Sequence, residues 1–346
     1  MPAHRHEPSP TVERQSERDH VTGVSLARMV GQQLMVRMDG TNPDAGLLSR
    51  IRQGEVGGVI LYAENIESQS QTRALVTQLQ DAARDGGNPP LLISTDQEGG
   101  QVKRLPWAPP DLAPPEMGAQ GSSVSQHQGE QTGAALRSVG INVDLAPVVD
   151  VAHSDASFIW QQGRSFGMSA GAVIDSAIPF AEGMQLSGVA PTAKHFPGVG
   201  GASTDTDYAL QTIPDEPEDR APYQALIAEH IPLIMVSTAV YPNLDPAAPA
   251  ALSRRIVTDL LRDQMGYEGV VITDDLERPT GYVPGDAAIH AANAGADIIL
   301  VSSTEQAGAM VYQAMLAAAQ HGTIAPAAID AAYRRIEQLK RRYAEH

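Results

Sequence analysis

Lys194 and His195 stand side by side at the end of an apolar run, and the loop that follows them closes with Asp205-Thr206-Asp207. The run, Leu186-Ser187-Gly188-Val189-Ala190-Pro191-Thr192-Ala193, reads as a buried strand. Pro197, Gly198, Gly200 and Gly201 keep the next stretch from becoming helix or strand. A cation and an imidazole on a strand end, beside a mobile loop carrying two carboxylates, suggest a site that holds a polar substrate and moves protons on it. A solvated glycine-rich turn with incidental charges is the plainer reading of the same residues. Asp96, Asp144 and Asp274 also fall at the ends of apolar runs. A pair of acids such as Asp205 and Asp207 invites a metal reading, but the rest of a calcium loop is missing, so no metal and no cofactor are expected.

The elements that must carry these side chains recur along the chain. Apolar runs at 33–38, 57–62, 90–95, 141–146, 186–193, 232–237, 269–273 and 296–301 predict eight strands. Helical patterns at 25–35, 68–83, 124–139, 304–320 and 325–343, with others opening at Asn42-Pro43-Asp44 and after Gly167, separate nearly all of them. Residues 105–120 are proline-rich and read as a structured loop. Near-continuous apolar strands alternating with helices predict an α/β chain with a parallel sheet covered on both faces. Eight such units match a (β/α)8 TIM-type barrel, one domain over residues 25–346. An open doubly wound sheet is the runner-up, but no Gly-x-Gly-x-x-Gly follows the first strand. In a barrel the C-terminal strand ends converge on one face, which would gather Asp96, Asp144, Lys194, His195 and Asp274.

Composition narrows the function classes. The 346 residues are 42% hydrophobic, enough for a sizeable core, and carry a net charge of −17, a field that repels nucleic acid and anionic membranes. The absence of cysteine removes disulfides and thiolate metal sites. No apolar run reaches the ~18 residues of a membrane span. The N-terminus has no apolar h-region, so a cytoplasmic location is expected, and residues 1–24 read as a disordered polar tail.

Several motifs in combination resemble glycoside hydrolase family 3, and most nearly its single-domain branch, the bacterial β-N-acetylhexosaminidases of peptidoglycan recycling. They are Gly57-Gly58-Val59-Ile60-Leu61, Asp96-Gln97-Glu98-Gly99-Gly100-Gln101-Val102-Lys103-Arg104, Gly163-Arg164-Ser165-Phe166-Gly167, Lys194-His195-Phe196-Pro197-Gly198 and Thr273-Asp274-Asp275-Leu276. The likeness runs over residues 30–341. It implies a retaining β-glycoside hydrolase with a carbohydrate substrate and no nucleic-acid or membrane partner, acting as a monomer or weak homodimer. By the same resemblance Asp96, Arg104, Arg164, Lys194 and His195 grip the hydroxyls of the non-reducing sugar. Asp274 matches the nucleophile that forms a glycosyl-enzyme ester.

The chain departs from that branch where the acid/base belongs. By the same resemblance Val199 stands where Lys-His-Phe-Pro-Gly continues with His, Asp207 holds the position of the catalytic His, and Thr238 that of a further His in the sixth-strand motif. Glu277-Arg278-Pro279-Thr280 takes the place of an apolar continuation. Three readings follow. Asp207 is itself the acid/base, roughly 5–5.5 Å from the nucleophile, its ordinary pKa of about 3.9 raised by Asp205 or by burial. Alternatively Glu277 supplies the proton, or the site binds sugar with impaired turnover. An ionised carboxylate at 207 repels phosphate and favours water as acceptor. A β-glucosidase-type activity is the other substrate class.

Overall fold

Each of the eight apolar runs forms a strand of one parallel sheet. In the computed structural model, which describes residues 23–345, these are β1 (Leu34–Arg37), β2 (Gly58–Ile60), β3 (Leu92–Thr95), β4 (Val143–Asp144), β5 (Ala190–Phe196), β6 (Leu233–Val236), β7 (Val270–Thr273) and β8 (Ile299–Val301). The predicted tail, apart from Gly23 and Val24, lies outside the described residues. The strands pair in the order β7-β6-β5-β4-β3-β2-β1-β8, and a parallel bridge between Ile272 and Ile298 brings β7 against the start of β8. The sheet thus closes in chain order as a (β/α)8 barrel.

Alternation along each strand divides the core in two. Met35, Ile60, Leu92, Val143, Met235 and Ile272 point inward and fill the barrel. Their neighbours Val36, Val59, Ile93, Ile234 and Val271 point outward and pack under the helices. Ile336, Leu339 and Tyr343 of the last helix, Pro326–Tyr343, join the inner cluster. Leu339 and Tyr343 share a cleft with Pro232 and Gly269, which precede β6 and β7, so this helix stoppers the N-terminal end. The C-terminal ends remain as the open mouth.

The helices begin where capping residues allow. Asp44 accepts from the Leu47 N–H at 2.6 Å and Thr304 from the Ala307 N–H at 3.1 Å, satisfying donors that a first turn leaves orphaned. The proline-rich stretch corrects one expectation. Within 105–120, Pro114–Gln120 is helical, its two prolines sitting in the first turn, where no backbone N–H is required. The first helix ends at Gln32, short of the expected 35, because Leu34 has already entered β1. Three helices not singled out from the sequence, Ala221–Ala228, Arg255–Gln264 and Pro284–Ala294, complete the outer ring.

The helices flanking β4 and β5, Ser122–Ser138 and Ala170–Leu186, approach each other through glycine. A Cβ on Gly183 would lie 2.3 Å from the Gln126 carbonyl oxygen, and one on Gly129 would lie 2.1 Å from that of Phe180. Gly183→Ala is therefore expected to lower the free energy of unfolding by about 1–3 kcal/mol through overpacking. Gly171→Ala, in the same helix with nothing within 4 Å, is expected to leave stability unchanged or raise it slightly. Urea unfolding of the two variants checks this, and equal effects would remove the close crossing as a constraint.

Candidate active site

The mouth of the barrel holds an ionic cluster around Lys194. The register of β5 against β6 shifts between Ala193 and Phe196, which breaks simple alternation, and consecutive residues Lys194 and His195 both line the pocket. The Lys194 ammonium lies 2.8 Å from Asp96 Oδ1 and 2.6 Å from Glu98 Oε1. Arg164 meets the same Glu98 with two parallel bonds, Nε to Oε2 at 2.7 Å and Nη2 to Oε1 at 2.8 Å. Arg104 Nη2 lies 3.6 Å from Asp96 Oδ2, with its guanidinium over the Tyr62 ring.

Charge pairing decides the ionisation of this cluster. Burial alone would push Glu98 up, but Arg164 and Lys194 hold it at about 2. Burial likewise opposes the charge on Asp96, and Lys194 and Arg104 overcome it. Burial would lower Lys194, yet Asp96 and Glu98 raise it above the ordinary lysine value. All stay charged across the neutral range, presenting charge-assisted partners for hydroxyl groups.

His195 is set by a buried carboxylate that the sequence did not reveal. Its Nδ1 lies 2.8 Å from Asp150 Oδ2, while Asp150 Oδ1 accepts the backbone N–H groups of His195 and Val199. Asp150 therefore fixes both the ring and the start of the following loop. His153 Nε2, 2.8 Å from Asp219 Oδ1, backs the same loop, and Gly198 and Gly201 pack closely on this pair.

Across the pocket stand the carboxyl groups of Asp207 and Asp274. Asp274 follows β7, its backbone N–H bonded to the Val236 carbonyl and its Oδ1 accepting the Asp275 N–H at 2.8 Å. Burial raises its proton affinity; His195 opposes this and Asp207 adds to it. Asp207 is raised too, chiefly by burial and with help from Asp205, against the pull of Arg278. The Arg278 guanidinium lies 3.3 Å from Asp207 Oδ2. Asp205 has both oxygens engaged, Oδ1 with the Asp207 N–H at 3.0 Å and Oδ2 with Gln162 Nε2 at 2.8 Å.

All eight residues singled out from the sequence, Asp96, Arg104, Arg164, Lys194, His195, Asp205, Asp207 and Asp274, line one pocket of about 180 Å³. Two other residues are placed elsewhere. Asp144 lies beneath the pocket, fully buried, with Oδ1 on the Gln97 N–H and Oδ2 unpartnered, and burial pushes its carboxyl well above the ordinary range. Glu277 turns away to the backbone and hydroxyl of Ser303. Glu98, Asp150, Asp275 and Arg278 were not assigned parts from the sequence. Glu98 carried a signal in its alternation with Asp96 after β3, and Asp275 in its place beside Asp274 in the motif after β7.

The chain matches the Glycosyl hydrolase family 3 N terminal domain over residues 25–339. It belongs to that family. A secreted glycosyl hydrolase of Arthroderma benhamiae is 35% identical, covering 92% of this chain and 94% of its own. The solved structure of a β-N-acetylhexosaminidase from Beutenbergia cavernae superposes with a TM-score of 0.85 at 38% identity, over 92% of this chain and 98% of that one. A family 3 β-N-acetylglucosaminidase from a Paenibacillus species gives a TM-score of 0.88 at 34% identity over 93% of this chain. This chain spans only 63% of the Paenibacillus enzyme. The family 3 barrel is thus a glycoside hydrolase, and no helix among its described residues is long and apolar enough to cross a membrane.

Glu98 is the shared anion of a buried lysine and a largely buried arginine, so Glu98→Gln is expected to lower the free energy of unfolding by about 3–5 kcal/mol. Its folded value lies below the ordinary one. The contribution is therefore complete above the unfolded pKa of about 4.3 and lost as pH falls toward about 2. Urea unfolding from neutral to acid pH should show wild type losing its advantage over the variant within that window. Equal stability at pH 7 would show that the cluster does not hold the mouth together.

Proposed function

We propose that this domain hydrolyses β-linked N-acetylhexosaminides with retention of configuration, using Asp274 as nucleophile and Asp207 as acid/base. The observation that carries the reading is the pairing of Asp207 and Asp274 in the pocket that also holds the ionised Lys194 cluster. The two structural relatives named for N-acetylhexosaminide hydrolysis support the sugar class. Asp96, Arg104, Arg164, Lys194 and His195 grip the sugar, and such a site rejects analogues that leave its charges unpaired.

In the first step an Asp274 oxygen attacks the anomeric carbon while protonated Asp207 gives its proton to the departing glycosidic oxygen. The C–O bond to the aglycone breaks, and a glycosyl ester on Asp274 remains. In the second step carboxylate Asp207 takes a proton from water, the water oxygen attacks the anomeric carbon, and the ester C–O bond breaks. Asp205 serves by holding the backbone of Asp207. The carboxylate-rich pocket disfavours phosphate and leaves water as acceptor. Cytoplasmic recycling of cell-wall sugars and a monomeric or weakly dimeric state belong to the same proposal. Detection in cell fractions tests the first, against the fungal relative named as secreted.

Asp274→Ala is expected to abolish turnover of aryl β-N-acetylglucosaminide. Asp207→Ala should cost about 10²–10⁴-fold on substrates with poor leaving groups and far less on activated aryl glycosides. NMR of the first-formed sugar should show the β-anomer. Equal losses on both substrate types would remove Asp207 from the acid role. Sugar binding without turnover would favour an impaired binding homologue, and preference for the aryl β-glucoside would move the substrate class.

Activity depends on ionised Asp274 and protonated Asp207. It should fall as pH drops through the pKa of the first and as pH rises through that of the second. Both are raised, so the optimum should lie above the ordinary carboxylate range of about 4. A kcat/KM profile peaking at or below that range would contradict the assignment.

A further inference from the structure

We propose that Arg278 is a positioning residue for the proton donor, clamping the Asp207 loop to the mouth of β7 and making Asp207 a readier acid. The proposal rests on the reading of Asp207 as acid/base. Its geometric basis is a chain of contacts across three strand ends. Arg278 closes the turn after Asp274, its backbone N–H bonding to the Asp275 carbonyl at 3.1 Å. Its Nε lies 3.4 Å from Asp275 Oδ2 and its Nη2 lies 3.3 Å from Asp207 Oδ2. Asp275 is anchored in turn by the Ser302 hydroxyl at 2.6 Å and the Ser302 N–H at 3.2 Å, just past β8. The run Ser302–Asp275–Arg278–Asp207 therefore ties the loop after β5 to β7 and β8.

The surrounding charges single out Arg278. Asp207 is faced by Asp205 on its own loop, His195 on β5, Arg164 from the segment before Ala170–Leu186, and Asp274 and Arg278 after β7. Arg164 is committed to both oxygens of Glu98, and His195 to Asp150. Arg278 in turn faces Asp207, Asp275, Asp274 and Tyr62, so two carboxylates hold it in place. When Asp207 passes its proton to the leaving oxygen it becomes an anion. A guanidinium at its oxygen stabilises that anion as it forms, which favours the first step. The same contact weakens Asp207 as a base in the second step, so the clamp favours cleavage over deglycosylation.

The test is the pH dependence of kcat/KM for di-N-acetylchitobiose, whose leaving group needs a proton, in wild type, Arg278→Met, Arg278→Lys and Asp207→Asn. Without the guanidinium, Asp207 holds its proton to higher pH. The high-pH limb should move up by about one pH unit in Arg278→Met, at the low end for an opposite charge because both groups are partly exposed. Arg278→Lys should bring the limb back toward wild type. Aryl N-acetylglucosaminides with good leaving groups should lose less activity than the disaccharide. A uniform loss with the limb unmoved would overturn the clamp and leave Arg278 a merely structural contact. A wild-type high-pH limb surviving in Asp207→Asn would instead overturn the acid/base reading beneath it.

Discussion

A lysine ammonium buried at the end of β5 is the constraint on which the mouth of the barrel depends. Lys194 is 2% exposed, and a charge so placed is tolerated only with close opposite partners. Asp96 and Glu98 provide them from the far side of β4, and each draws in an arginine of its own. Asp144 then pins the backbone of Gln97 between those two acids. Residues distant in the chain meet within hydrogen-bond distance because the sheet closes into a ring. The apolar interior below, stoppered by the last helix, keeps solvent from relaxing the pairs from beneath.

The pocket treats its acids in opposite ways. Asp96 and Glu98, matched by cations, are held below their ordinary values, whereas Asp207 and Asp274 are raised by burial and proximity. Six carboxyl groups and four fixed cations line its walls among the described residues. The excess negative charge favours retaining a proton, and burial directs that effect to Asp207 and Asp274. One environment yields permanent charge, and the other yields carboxyl groups that hold a proton more tightly. The proposed acid and nucleophile lie together in the raised group, where like charge between the two carboxyls keeps both from ionising at once.

Much of this was legible in the sequence. All eight strands announced themselves as apolar runs, because strands covered on both faces need apolar residues at nearly every position. Asp96, Lys194, His195 and Asp274 were legible because they end those runs, whereas Arg104 and Arg164 were read from the resemblance and Asp205 and Asp207 as the acids that close a loop. Their partners were not, since pairings such as His195 with Asp150 and Arg278 with Asp207 are made through space by loops. Asp144 looked equivalent to Asp96 at the end of a strand, yet a difference in depth makes it a buried pin. Glu277, weighed as an alternative proton donor, and Arg278 both read as departures from the family pattern. The turn after β7 sends the first to Ser303 and the second into the pocket. The helix Pro114–Gln120 was hidden by prolines that suit a first turn as well as a loop.

On the proposed path, placing aspartate where the resemblance implies histidine changes the charge of the proton carrier but preserves its cycle. A histidine alternates between cation and neutral, whereas Asp207 alternates between neutral and anion. Beside an ionised Asp274, an ionised Asp207 meets like charge, so the nucleophile's own charge helps keep the proton on the acid in the free enzyme. Once Asp274 becomes a neutral ester on the proposed path, that repulsion is gone, and Asp207 can remain a carboxylate until water arrives. Loss of the Asp274 charge leaves Arg278 at the oxygen of Asp207 as the countercharge nearest to hand. On that path an acidic proton carrier in so acidic a pocket needs a cation on its outer side, and the turn that follows Asp274 is where the chain places one.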